Sequence, residues 1–328
     1  MGIKEEIQGQ SGYLKKVREK YMPNTKEMAK LALAKFIATN SDKELSAEYF
    51  ADNADEILKS LFLLETEIFK EKNEEIMTQT IPFFYTELYK EHYDKYEETN
   101  KIIEQLADIY QKCKKDEYTL EMFIKGITST TTPLIDLISF SQKQSAKCRV
   151  GETLQNHLAN IFNKCNVPYD TQQQKIEGGT IMDFIIPNAD AIQEQPDQVI
   201  NIECQTTLKD RFRLTTGKST DAKIKRYLAT VTGAGVVTAR DINDISIEKI
   251  KEIIMDNNVT LVVLREVKDK LIFMLKGALQ KIDETENDSI YSVNRADLVK
   301  LIKLGDKKII SFSELIKRDI NSTITYWG

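Results

Sequence analysis

Two short apolar stretches in the second half of the chain each carry a carboxylate where a strand would be buried. They are "MDFIIP", with Asp183, and "VINIECQTT", with Glu203. Short apolar runs rich in Ile and bounded by turn residues read as strands. A charge on a buried strand is costly unless it is paired or holds a metal ion. Side chains two apart share one face of a strand, so Glu203 and Gln205 point the same way. If the two strands are neighbours, Asp183 meets Glu203 at one end of a sheet. Two converging carboxylates make an oxygen-rich pocket suited to Mg²⁺. The spacing alone leaves a second reading open, in which both acids are solvent-facing members of a half-exposed sheet.

The residues that follow weigh toward chemistry. From Thr207 to Arg226 there are seven basic residues (Lys209, Arg211, Arg213, Lys218, Lys223, Lys225, Arg226) against two acids, Asp210 and Asp221. A local positive excess beside an acid pair fits a phosphate backbone approaching a metal-binding pocket. Lys209-Asp210-Arg211 offers donors for guanine O6 and N7 and an acceptor for cytosine N4, so one short element can read G·C pairs. The whole chain is acidic, with net charge −5, which argues against indiscriminate coating of nucleic acid but leaves room for a local basic face.

Other chemistries lack material. The chain has four cysteines without CxxC spacing and two histidines, His92 and His157. Zinc binding and Ser/His/Asp or Cys/His catalysis are therefore disfavoured, and reduced structural thiols are expected. No apolar run reaches the roughly 20 residues that cross a bilayer, and "MGIKEEIQGQSGY" has no apolar signal core, so a cytoplasmic protein with no membrane partner is expected.

The 328 residues suffice for one large or two modest domains. Residues 1 to about 126 read as helices, among them "TKEMAKLALAKFIATN" opening at Thr25 and "PFFYTELYKEHYDKY" with Pro82 near its first turn. Their recurrent Tyr and Phe are expected in the core. "GITSTTTPLID", residues 126 to 136, interrupts the pattern with Gly, a Ser/Thr run and Pro133. A boundary there gives a helical subdomain, 1–130, and a second domain, 131–328. The second is mixed: a helix "GETLQNHLANIFNKCN", strands at "TIMDFIIP" and "QVINIECQTT", a helix "STDAKIKRYLATVT", strands "VTLVVLRE" and "KLIFML", and a capped helix "SFSELIKRDI". This order predicts an α/β core with a mixed sheet. Tyr326 and Trp327 are expected to pin the C-terminal tail.

Over roughly residues 139 to 232 the chain resembles type II restriction endonucleases of the PD-(D/E)XK superfamily, in the EcoRII C-terminal branch that recognises CC…GG sites. The likeness lies in "SQKQSAKCRVGETLQNHL", "MDFIIP" and "ECQTTLKDRFR", in order and at similar spacing. It implies a restriction-endonuclease-like mixed sheet flanked by helices, with an all-α N-terminal subdomain. It further implies an Mg²⁺-dependent enzyme that cuts double-stranded DNA at a palindromic site and leaves 5′ overhangs. A palindrome implies a homodimer, with a tetramer also open.

By the resemblance, Asp183 is the metal-binding aspartate, while Lys209, Asp210 and Arg211 read bases. Arg213 and Arg149 are candidates for DNA contact, and His157 is expected to be a packing residue. Three positions depart from the pattern: Gln205 stands at the catalytic lysine, Lys218 at the displaced glutamate and Gln155 at an accessory helix glutamate. Glu203 and Lys218 together suggest that carboxylate and lysine have exchanged supports, keeping two acids and one cation. Gln205 orienting the attacking water is a second active reading. A catalytically inactive, sequence-specific DNA-binding protein of the same fold is the alternative.

Overall fold

The computed structural model describes residues 2–8, 12–89, 93–171, 182–208, 223–235, 245–285 and 293–327. Contacts divide the chain into two compact units, one formed by Met1–Met28 and Thr66–Arg149, the other by Ala29–Glu65 and Val150–Gly328. Among the described residues the chain opens with α-helices α1 (Ile3–Gln8), α2 (Tyr13–Tyr21), α3 (Thr25–Thr39), α4 (Ala47–Asp52), α5 (Ala54–Glu87), α6 (Glu97–Lys114) and α7 (Leu120–Lys164).

The first unit is helical, as its sequence predicts. Tyr13, Phe83, Phe84 and Tyr96 are core, whereas Tyr85, Tyr110 and Phe140 are exposed, so the aromatic stripe is core only in part. Tyr13, Phe84 and Tyr96 form a triangle of rings with centroids 4.9, 5.6 and 5.7 Å apart. Glu6, 1% exposed, caps α6 from α1. Its carboxylate accepts from the Glu98 and Thr99 amides, both at 2.9 Å, and from the Thr99 hydroxyl at 2.8 Å. A buried acid is tolerated here because it satisfies donors that every helix start leaves open.

The interruption expected between Gly126 and Asp136 does not occur, because α7 runs through it. The hydroxyls of Thr131 and Thr132 turn back onto the carbonyls of Ile127 and Thr128, at 2.9 and 2.7 Å, and so do not compete with the helix. Gly126 marks close packing rather than a turn: a Cβ there would lie 3.1 Å from Cδ1 of Ile109 on α6.

The second unit is built on a five-stranded sheet, ordered β1 (Phe184–Ile186), β2 (Ile200–Gln205), β3 (Lys225–Thr230), β4 (Thr260–Val263) and β5 (Ile309–Ser311). β1 is antiparallel to β2, and the remaining pairs are parallel. The end of α7 buries Leu154, Leu158, Ile161 and Phe162 completely, and the Phe162 ring meets Phe184 of β1 at 5.2 Å. Asp170 bridges the outer side of β1 through two backbone hydrogen bonds to Ile185, each 2.9 Å.

Two expected elements are corrected. The helix expected over 219–232 is strand β3 where it is described. Tyr227 to Thr230 are all buried between two parallel neighbours, so its apolar residues are continuous rather than alternating. "KLIFML" is helical, within Arg265–Thr285, whose buried residues Val267, Leu271, Leu275, Ala278 and Ile282 recur at helical spacing. The C-terminal reading holds. Ser311 and Glu314 make a reciprocal capping box, and the Trp327 indole donates to the Gln198 carbonyl at 3.3 Å. Among the described residues no helix is long and apolar enough to cross a membrane.

Asp55 ties this unit together from α5. Its carboxylate, 3% exposed, accepts the backbone amides of Arg265, Phe312 and Ser313, each at 3.1 Å. One side chain thus closes the starts of two helices that follow β4 and β5.

Candidate active site

The β1–β2 register pairs Phe184 with Ile202, Ile185 with Asn201 and Ile186 with Ile200; Asp183 immediately precedes β1, one step beyond that register toward Glu203. Directly opposed residues of an antiparallel pair lie on one face, with Cβ atoms about 5 Å apart. The half-buried Asp183 is fixed by its own neighbour strand: Oδ2 accepts the Cys204 amide at 2.7 Å. Glu203 is 5% exposed. The acids come from different strands, which is why neither sequence stretch alone reveals the pair.

Strand alternation puts Asn201, Glu203 and Gln205 on one face of β2, and the parallel register adds Arg226, Leu228 and Thr230 of β3. Nη2 of Arg226 lies 3.8 Å from Oε1 of Glu203. The opposite face of β3 is held separately, with the Tyr227 hydroxyl donating to Asp319 at 2.9 Å. The Cys204 thiol, on the residue after Glu203, is pushed well above its ordinary range by burial, and the Asp183 and Glu203 charges add to that.

The strand ends are latched. Thr232 accepts the Leu208 amide at 2.8 Å and lies 2.9 Å from the Thr230 hydroxyl, while Lys249 donates to the Leu208 carbonyl at 2.8 Å. Both backbone groups of the residue preceding the Lys209-Asp210-Arg211 triplet are therefore held.

The predicted site residues fall into three groups. Glu203 and Gln205 share one face of β2, and Asp183, just before β1, accepts the amide of Cys204, which lies between those two in the chain. Lys209, Asp210, Arg211, Arg213 and Lys218 lie outside the described residues, as does His92. Arg149 belongs to the first unit, where Nη2 donates to the Pro23 carbonyl at 2.5 Å and the guanidinium lies 5.6 Å from the Phe69 ring centre. His157 is fully buried on α7, with Nε2 2.8 Å from Oε2 of Glu65 and its ring edge-on to Phe62 at 5.1 Å. That is the setting of a packing histidine. Gln155 is half-buried on the same helix.

The sequence reading missed Arg226 as a site residue by counting it within the basic patch, although its place beside an apolar run was the available signal. It also missed Thr232 and Lys249, which no spacing rule singles out. Among the described residues no group of three or more His, Cys, Asp or Glu could hold a metal ion. Two carboxylates on one edge fit Mg²⁺ nonetheless, since that ion keeps several waters and takes one or two protein carboxylates.

A mixed sheet with helices on its faces and an acid pair at the junction of its antiparallel and parallel strands is a restriction-endonuclease-like fold of the PD-(D/E)XK type. Solved structures agree. Metal-depleted Ecl18kI in complex with uncleaved DNA has a TM-score of 0.60 at 16% identity, covering 96% of this chain and 83% of that one. The PspGI–substrate DNA complex has a TM-score of 0.57 at 16% identity, covering 94% and 96%. Among curated proteins no sequence matches significantly. Residues 116–283, just over half the chain, match the model of the EcoRII C-terminal family. The protein belongs to that family of type II restriction endonucleases and is by that membership a site-specific deoxyribonuclease.

Proposed function

We propose that the protein is an Mg²⁺-dependent type II restriction endonuclease that hydrolyses both strands of a palindromic CC…GG-type site and leaves 5′ overhangs. The observation that supports this reading is the bond from the Cys204 amide, next to Glu203, to the Asp183 carboxylate, which brings the two acid-bearing segments side by side. These two side chains would hold the ion, which when bound supplies a Lewis acid and an activated water. Lys209, Asp210 and Arg211 contact the bases, and Arg213 meets the backbone, starting from the latched Leu208. The relatives named above are DNA complexes, one of them metal-depleted with its DNA uncleaved, which supports both a DNA substrate and a metal requirement. Two-fold symmetric DNA favours a homodimer acting in the cytoplasm, each subunit cutting one strand.

Digestion of sequenced plasmid with Mg²⁺, followed by end mapping, tests site, stagger and activity together. Discrete fragments with CC…GG at each break are expected. Fragments ending elsewhere overturn the assigned site, and intact DNA overturns the assigned chemistry.

The third polar role lies with Lys218 or Gln205. Exchange of acid and lysine between the two supports predicts that Lys218→Ala lowers the cleavage rate by about a hundredfold, the scale of a lost charge-stabilising group. Gln205→Ala then has a small effect. Full activity in the lysine variant, with loss in the glutamine variant, transfers the role to Gln205.

A further inference from the structure

Arg226 has no part in the roles assigned above, yet it is built into the acid pocket. It stands opposite Asn201 in the β2–β3 register, on the same face as Glu203 and one row deeper in the sheet than the acid pair. Its side chain is 13% exposed, and that of Glu203 is 7% exposed. The neighbouring Lys225 falls on the other face by alternation and is exposed, so the two basic residues are not equivalent. At 3.8 Å the guanidinium acts on Glu203 mainly through charge, since a direct N–H···O bond is shorter. The planar guanidinium of Arg226 carries a delocalised positive charge.

We propose that Arg226 is the resident counter-charge of the acid pair, a positioning residue that lets a DNA backbone dock at the pocket before a divalent ion arrives. The inference rests on the reading of Asp183 and Glu203 as the metal-binding acids. Two carboxylates repel an approaching phosphate. Arg226 offsets one of the pair's two negative charges before a divalent ion adds two positive charges of its own. Removing the guanidinium therefore weakens DNA binding most when no metal is present. By thermodynamic reciprocity, the same change makes DNA binding more dependent on the ion.

The experiment measures affinity for linearised plasmid DNA by filter binding, in EDTA and in saturating Ca²⁺, for the wild type, Arg226→Lys and Arg226→Gln. Glutamine keeps a polar amide but is shorter and uncharged, while lysine restores the charge without the guanidinium fork. R226Q is expected to bind about tenfold more weakly in EDTA and within about twofold of wild type in Ca²⁺, with R226K near wild type in both. Pairing R226Q with Glu203→Gln removes one acid with one base, so the net charge equals that of the wild type and the EDTA affinity is expected to recover; this comparison of double variant with wild type does not need R226Q alone. An equal loss in both media, or no loss in EDTA, overturns the proposal. If Ca²⁺ leaves wild-type affinity unchanged, the metal reading of the acid pair fails first and the inference falls with it.

Discussion

Asp183→Asn and Glu203→Gln each give a folded protein whose DNA cleavage is slower by a factor on the order of 10³, the scale on which a site loses an essential charge-stabilising group. Asparagine preserves an acceptor for the Cys204 amide now bonded to Asp183 at 2.7 Å, so β1 and β2 stay in register. Glutamine at 203 keeps the side-chain volume in a position only 5% exposed. What both changes remove is a negative oxygen on the face where the strands meet. Initial rates of plasmid cleavage in Mg²⁺, with circular dichroism to verify folding, give the result. Either variant cutting within tenfold of wild type would remove its residue from the site.

The second large effect is on stability. Asp55→Ala leaves three backbone amides without their acceptor and the Arg265 guanidinium, now 3.9 Å away, without its counter-charge. Breaking a buried, multiply bonded carboxylate costs about 3–5 kcal/mol. In a unit of this size that lowers Tm by roughly 10 °C. Asp55→Asn keeps one acceptor oxygen and is expected to lose about half as much, a difference that scanning calorimetry resolves. A shift of less than about 2 °C in the alanine variant would show that water or other groups satisfy those helix starts.

How far these features could be read beforehand follows from where their causes lie. Asp183 and Glu203 stood out because an acid within an Ile-rich strand is anomalous locally, and a window of ten residues exposes it. Asp55 did not, because its partners at 265, 312 and 313 are more than 200 positions away and are backbone groups with no identity of their own. β3 was misread for a related reason. Its basic opening looks like a solvated helix until β2 and β4 cover it on both sides. The stretch 270–275 looked like a strand only in a short window. The full length of Arg265–Thr285, with one residue in about four buried, carries the helical signal. At Gly126–Asp136 composition favoured a turn, and packing against Ile109 together with hydroxyls bonded back along α7 overrode that weak preference.

The grip on Leu208 separates two properties of the enzyme that selection can then alter independently. Because its amide and carbonyl are both anchored to groups outside the triplet, exchanging residues 209–211 for those of a relative leaves the cutting centre's own bonds intact. On the proposed assignment of residues 209–211 to base contacts, such chimaeras are expected to alter target preference while leaving the cleavage rate at a preferred site unchanged, and a change in both would overturn that assignment.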